Sequence, residues 1–561
     1  MATLSKSSCE LARERLLQQQ VAPHSKHQPR GSTTYFPRSA IIKFLSEFPV
    51  RDILTCPCGR CDHYAGSQGS ASDRRAMLYE EDLLGQYATT YGLLIYLGYP
   101  SLIHFFMRQS ISLENRLFSY EDLNFLDQCT TLTDLEKQTI RQEILEYQYR
   151  FRVHRLLLTR TISTLSEKQV LPIKEEGTPV GRSYLGEVYA FTISKEYMDE
   201  DLKSRQIKRF ARRIFDRSWT ETKYFLGERN QVRTAKEWVK CLHATDYHHP
   251  NLMEILAAFE HGECFSAILE LAQTTLYKLL LGAGGISFSS QELWSQIQGL
   301  ADGLAYLHKK DIAKVNWRHG KIYHLDLNLS KVLIVNGVMK IADFGLFNYK
   351  SDPDLPELGM GPLETIGRGA HVPPPGRVDG TFDVFSLGTI ISEIACFDIG
   401  KKLRVVRYRR RRESDIRQGQ RPGSEHFYYR TTYQLKRSVI QEHLDLLRII
   451  EGSTRNGNPS WQQVFYGQEL FDLITDMLHR SADGRPEAET VATKLGVMIK
   501  RASEEVQRCL PKNLYIGEET KKGSAIVKTS PANLAHEGLS HLTLIHNTPT
   551  FSFTRKEQCR F

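Results

Sequence analysis

The stretch Tyr323 to Leu346, YHLDLNLSKVLIVNGVMKIADFGL, constrains this chain more than any other. Its apolar run Val332-Leu333-Ile334-Val335, the pair Asn336-Gly337 and a second apolar run from Val338 to Ala342 predict a short hairpin, because Asn-Gly supplies the positive φ angles a two-residue turn requires. An antiparallel hairpin returns to where it began. Asp326, just before the first strand, and Asp343, just after the second, are therefore predicted at one end of the same unit.

Composition bounds what can surround that pair. At 561 residues the chain exceeds one ordinary core, and roughly 150 residues per domain suggests about two to four units. The hydrophobic share of 41% and charged share of 25% are ordinary for a globular protein. The net charge of +9 is modest and partly concentrated in Lys401 to Arg412, so nucleic acid is not the expected partner. The apolar stretch Tyr91 to Phe106 is broken by Gly98, Pro100 and His104. It falls short of the roughly 20 apolar residues of a membrane helix. The N-terminus lacks the apolar core of a signal peptide and most cysteines are scattered, which predicts an intracellular setting, cytoplasmic or nuclear.

Residues 1–34, rich in Gln, Ser, Lys, Arg and His, read as a disordered leader. Residues 35–167 read as a helical N-terminal region. Apolar residues recur at helical spacing from Tyr79 to Gln109, with a break at Gly98 to Pro100. A capping box of Thr133 and Glu136 opens a further helix, with Leu135, Ile140, Ile144, Leu145, Tyr149 and Val153 on one side. Between them CPCGRCDHY offers Cys56, Cys58, Cys61 and His63 as soft or borderline ligands. Structural zinc sites usually draw knuckles from separated segments and no second pair is evident nearby, so a surface loop of reduced cysteines is the expectation and zinc the alternative.

From about residue 168 a series of motifs appears in order. Gly181 to Val188, GRSYLGEV, is a GxGxxGxV pattern with Ser183 at the middle glycine and Gly186 at the last. Lys208 follows in RQIKRF, with Lys195 and Lys203 as alternatives; Glu237, favoured over Glu221 and Glu228, lies on a predicted helix before HHPN at 248–251. Phe265 to Ala272 reads as a strand and Gln291 to His308 as a long amphipathic helix. DVFSLG at 383–388 and Arg485-Pro486 complete the series.

Taken together these motifs resemble a eukaryotic protein kinase domain, and in particular the divergent serine/threonine kinase-like proteins of filamentous fungi, over about residues 168–500. The resemblance implies an α+β, bilobal fold: a small antiparallel sheet with a regulatory helix, then a larger helical lobe. It implies ATP and magnesium as ligands, with a protein substrate or scaffold partner. Asp326 would be the catalytic base and Asp343 the magnesium ligand. Gly181, Ser183, Gly186 and Val188 would cover the phosphates, Lys208 would bind them, Glu237 would orient Lys208, and the strand ending at Glu270 to Ala272 would meet adenine.

The departures sit in the catalytic loop. HRDLKxxN becomes His324-Leu325-Asp326-Leu327-Asn328-Leu329-Ser330-Lys331, so Asn328 replaces the loop lysine and Lys331 the metal-binding asparagine. An ammonium has no lone pair for a metal. Leu325 removes the arginine that receives an activation-loop phosphate, and Pro373 to Pro375 lack the glutamate that would pair with Arg485. Weak serine/threonine phosphotransfer is the expectation, and a pseudokinase that binds ATP or scaffolds without turnover is the alternative. The basic run inside about 401–425 reads as a solvated insertion, and 501–561 as a mostly disordered tail.

Overall fold

The computed structural model describes residues 6–24, 34–65, 81, 83–158, 161–183, 186–215, 247–310, 322–343, 369–377, 379–416, 425–452 and 459–509. The expected tail therefore lies outside the described residues, apart from the end of the last helix.

Order begins earlier than composition suggests. Helix α1, Ser8–Leu17, starts at a capping box in which Glu10 accepts from the Ser7 amide, and it buries Ala12 and Leu16 one turn apart. The leader expected over residues 1–34 is thus partly a packed helix. Five helices follow, α2 (Arg38–Glu47), α3 (Val50–Leu54), α4 (Gly59–Ala65), α5 (Ala88–Leu97) and α6 (Ile103–Arg108), with α5 stopping at Gly98 in the left-handed conformation, φ 87°. Helix α7, Asp134–Phe151, has the predicted Thr133/Glu136 cap. Its buried stripe differs from expectation. Leu135 is 73% exposed, while Gln148 is buried because its amide group bonds the Phe118 N–H at 2.6 Å and carbonyl at 3.2 Å. Phe36 stacks on Phe151 with centroids 4.4 Å apart, tying the segment before α2 to the end of α7.

The chain then enters a seven-stranded sheet ordered β1-β6-β7-β5-β4-β2, with β3 also paired to β4. The strands are β1 (Ile162–Leu165), β2 (Ile173–Glu175), β3 (Gly181–Ser183), β4 (Gly186–Ile193), β5 (Phe210–Phe215), β6 (Ala257–His261) and β7 (Cys264–Glu270). All neighbours are antiparallel except β1, which runs parallel to β6. Since β1 precedes residue 168, the sheet recruits the end of the region expected to be helical. Phe191, Phe210, Phe259 and Ile268 form its core. The helical region is fastened to it: Tyr35, Val153, Val170 and Tyr197 share one cluster, and Leu156 bridges Met198.

Below the sheet, β8 (Thr274–Thr275), α8 (Leu276–Leu280) and α9 (Ser290–Lys309) lead to the hairpin β9 (Val332–Val335) and β10 (Val338–Ile341). The turn is as read from Asn336-Gly337, both at positive φ. Helix α10, Gly380–Ser414, is broken at Lys401 (φ 53°); α11 (Arg437–Glu451), α12 (Gln468–Met477) and α13 (Ala488–Cys509) complete the lobe. Its core holds Trp294, Ile297, Leu304, Phe385, Ile390, Ile474 and Leu495. Gly299 is needed for close approach: a Cβ there would lie 2.5 Å from Asn251 Oδ1, and Asn251 in turn donates to the Met339 carbonyl at 2.9 Å.

The basic run is not a solvated insertion over residues 401–414. It is helical, and Arg404 and Arg412 are buried against Glu442 and Glu393. Arg409 also pairs with Glu393, and Arg411 with Glu442 and Asp445. Two buried glutamates demand nearby cations, and the arginines meet that demand.

Candidate functional site

The loop from Tyr323 to Lys331 is held from below. Asp383 is fully buried and accepts from the His324 and Leu325 amides, both at 2.7 Å, and also contacts His308 Nε2 at 2.9 Å. These bonds fix Leu325 at φ 57°, an unfavourable backbone for a non-glycine residue. His324 reaches across to the Ala342 carbonyl at 2.9 Å, joining the loop to the end of β10. Asp326 and Asp343 thereby stand at the same end of the hairpin, as read from the sequence.

Asn328 is used inside the loop. Its Nδ2 donates to the Asp326 carbonyl at 3.0 Å and its Oδ1 accepts the Ser330 N–H at 2.9 Å. It braces the turn that carries Asp326. Lys331 points the other way, with Nζ 2.6 Å from Asp343 Oδ2. The second oxygen of Asp343 is taken by Arg213 from β5. Burial alone would raise the Asp343 carboxyl; Arg213 and Lys331 overcome it and hold the group well below the usual carboxylate range. Asp343 itself lies at φ 63°.

Arg213 is the residue that motif reasoning missed. It stands opposite Val188 in the sheet, so it projects from the strand beneath the β3–β4 hairpin. Lys208 is exposed and precedes β5; Lys195 is exposed, and Lys203 pairs with Glu200 at 2.6 Å. None of these lysines meets Asp343 among the described contacts. The signal was present in Phe210-Ala211-Arg212-Arg213, an apolar residue and alanine followed by basic residues within a strand, had arginine been admitted where a lysine is expected. Arg212, on the opposite face, is buried against Glu175 and Ser266.

The remaining predicted residues are placed as follows. Gly181 pairs with Val188 and Ser183 with Gly186, a tight hairpin with Gly186 at φ 133°. Glu237 lies outside the described residues. Glu270 ends β7 and pairs with Lys340 at 2.9 Å, so its side chain fastens that strand to β10, and Ala272 is half-buried in the connection that follows. Among the described residues, Arg485 hydrogen-bonds to backbone carbonyls and to no carboxylate. It donates to the carbonyls of His479, Arg480 and Thr381 and covers the Phe385 ring at 5.0 Å.

Residues 222–494 match the family model described as protein kinase domain. The fold is that of a protein kinase, and the matched segment is similar to a protein kinase domain. Among curated relatives it is 30% identical over 145 residues to "Cyclin-dependent kinase 7" of Xenopus laevis, covering 25% of this chain and 38% of that protein. It is 26% identical over 188 residues to "Probable serine/threonine-protein kinase fhkE" of Dictyostelium discoideum, covering 32% and 23%. It is 32% identical over 108 residues to "Serine/threonine-protein kinase PLK4" of Drosophila grimshawi, covering 19% and 13%. The chain thus spans between 13% and 38% of the length of these three relatives. No helix among the described residues is long and apolar enough to cross a membrane.

The kinase domain's donor set does not suit magnesium. Hard cations take oxygen ligands, and here both Asp343 oxygens are engaged by cations while Lys331 stands where a second oxygen ligand is expected. The same two cations suit the phosphates of a nucleotide, since guanidinium and ammonium groups both donate to phosphate oxygens.

Proposed function

We propose that this chain is a nucleotide-binding module of the pseudokinase type, in which Arg213 and Lys331, rather than magnesium, balance the charge of ATP phosphates. The observation that carries this reading is the double ion pair on Asp343. A carboxylate whose charge is already balanced by two buried cations offers a divalent ion little net attraction, because both cations repel it at short range. The β3–β4 hairpin with Gly181, Ser183, Gly186 and Val188 covers the nucleotide, and the backbone from Glu270 to Ala272 meets its base. Regulation then comes from nucleotide occupancy and from a protein partner, in an intracellular setting that suits the free cysteines. The likeness to divergent fungal kinase-like proteins rests on the altered catalytic loop together with the helical N-terminal region.

A second reading is weak serine/threonine phosphotransfer with Asp326 as base and Asp343 as magnesium ligand. It is favoured by Asp326 keeping its place in a loop braced by Asp383. Thermal stabilisation by ATP tests the two. Saturation at 100 times Kd stabilises by about 2.7 kcal/mol, and the first reading expects the same shift in EDTA as in magnesium. A shift that appears only with magnesium overturns it. Phosphate incorporation into a generic protein, lost in Asp326→Asn, would establish the second.

A further inference from the structure

The cysteine-rich segment and α1 converge on one point. Cys9, on the first turn of α1, meets Cys56 and Cys58 from the connection between α3 and α4 and Cys61 from the first turn of α4, and the four sulfurs lie within 4.8 Å of one another. Cys56 and Cys61 are buried, so the segment is not the surface loop expected from sequence. His63 is not part of the group: its Nε2 pairs with Glu136 at 3.0 Å.

From this geometry we infer a structural zinc site made of Cys9, Cys56, Cys58 and Cys61. A tetrahedral zinc with Zn–S of about 2.3 Å places its sulfurs about 3.8 Å apart. The Cys9 and Cys58 sulfurs are already 3.5 Å apart. Four thiolates select zinc over hard cations and leave no open position for catalysis. A group this tight encloses a single ion.

One surrounding group donates to the sulfurs and a second, a hydroxyl, has them as its electrostatic neighbours. The Cys61 N–H points at Cys58 Sγ, 3.4 Å away, and such amide donors stabilise metal-bound thiolates. Tyr91, on α5, is fully buried and its hydroxyl has no hydrogen-bond partner among the described residues; its electrostatic neighbours are Cys61, Cys9 and Cys56. An unpartnered buried hydroxyl is costly, whereas a hydroxyl facing thiolate sulfur is a donor with an acceptor. The ion fastens α1 to the α3–α4 connection, two segments far apart in the chain. This role is independent of the nucleotide site.

The test is metal analysis of the full chain expressed without a polyhistidine tag and desalted, by elemental analysis alongside native mass. One zinc per chain is expected. Cys9→Ser and Cys56→Ser should each lose it against a competing chelator, His63→Ala should keep it, and Tyr91→Phe should weaken zinc affinity by about 10-fold to 100-fold. The wild-type measurement stands even if a cysteine variant fails to fold. Wild-type protein without zinc, whether its four thiols are free or paired as disulfides, or holding iron instead, overturns the assignment. Retention by Cys9→Ser with loss in His63→Ala would overturn the ligand set.

Discussion

Replacing Asp343 with asparagine separates a cation-balanced site from a magnesium site, because the two predict opposite changes in nucleotide binding. The side chains of Asp343, Arg213 and Lys331 are between 10% and 14% exposed, so solvent screens their interactions weakly. Without the carboxylate, two buried cations face each other with the negative charge between them removed, at a cost of about 3–5 kcal/mol. At about 2–4 °C per kcal/mol for a domain of this size, Tm should fall by about 6–20 °C. Binding of metal-free ATP should move the other way. A unit charge pair about 4 Å apart is worth about 4 kcal/mol at an effective dielectric of 20, and in the wild type Asp343 competes with phosphate for both cations. Recovering a third of that interaction gives about a 10-fold tighter Kd, equivalent to about 1.4 kcal/mol. Titration calorimetry in EDTA at fixed ionic strength reads this directly. Loss of ATP binding in Asp343→Asn, with the variant folded, would refute the reasoning, because it would mean the carboxylate serves the nucleotide through a metal.

Further outcomes follow from the same contacts. Arg213→Ala should abolish ATP-induced thermal stabilisation, while Lys208→Ala, at an exposed position, should change stability by no more than about 0.5 kcal/mol and leave binding intact. Burial raises the Glu393 carboxyl, but Arg412 and Arg409 bring it from 4.5 down to about 2. A depressed carboxylate contributes stability above its unfolded value, and that contribution fades as pH falls from 4.5 towards 2. Glu393→Gln should therefore flatten the stability profile in that window and remove about 3 kcal/mol at neutral pH, as followed by denaturant unfolding across pH. Gly299→Ala should cost about 1–3 kcal/mol in the same assay, since the new methyl meets Asn251 and disturbs its bond to Met339.

Local signals carried much of this architecture. Asn336-Gly337 between two apolar runs specified the hairpin to within a residue, and Thr133 with Glu136 marked the start of α7, because turn and cap chemistry are decided by neighbours in sequence. The motif series located both aspartates and Lys331. What escaped was chemistry settled across distance. Arg213 was hidden by a search for lysine, although a strand position opposite Val188 accepts either cation. Cys9 lies far in sequence from the cysteine cluster, and only the packing of α1 through Ala12 and Leu16 brings it there. The arginines of 404–412 read as a like-charge block because their partners, Glu393 and Glu442, flank the block at a distance.

Those internal ion pairs change how the molecule looks to a charged partner. Arg404 and Arg412 are enclosed, and Arg409 and Arg411 are bound to Glu393, Glu442 and Asp445, so along this helix the exposed cations are Lys401, Lys402, Arg407 and Arg410. A polyanion or an import receptor responds to the charges it can reach. The segment that seems most cationic in the sequence therefore presents a sparse, interrupted row of charge in the folded protein, and displays its full density only when the lower lobe comes apart.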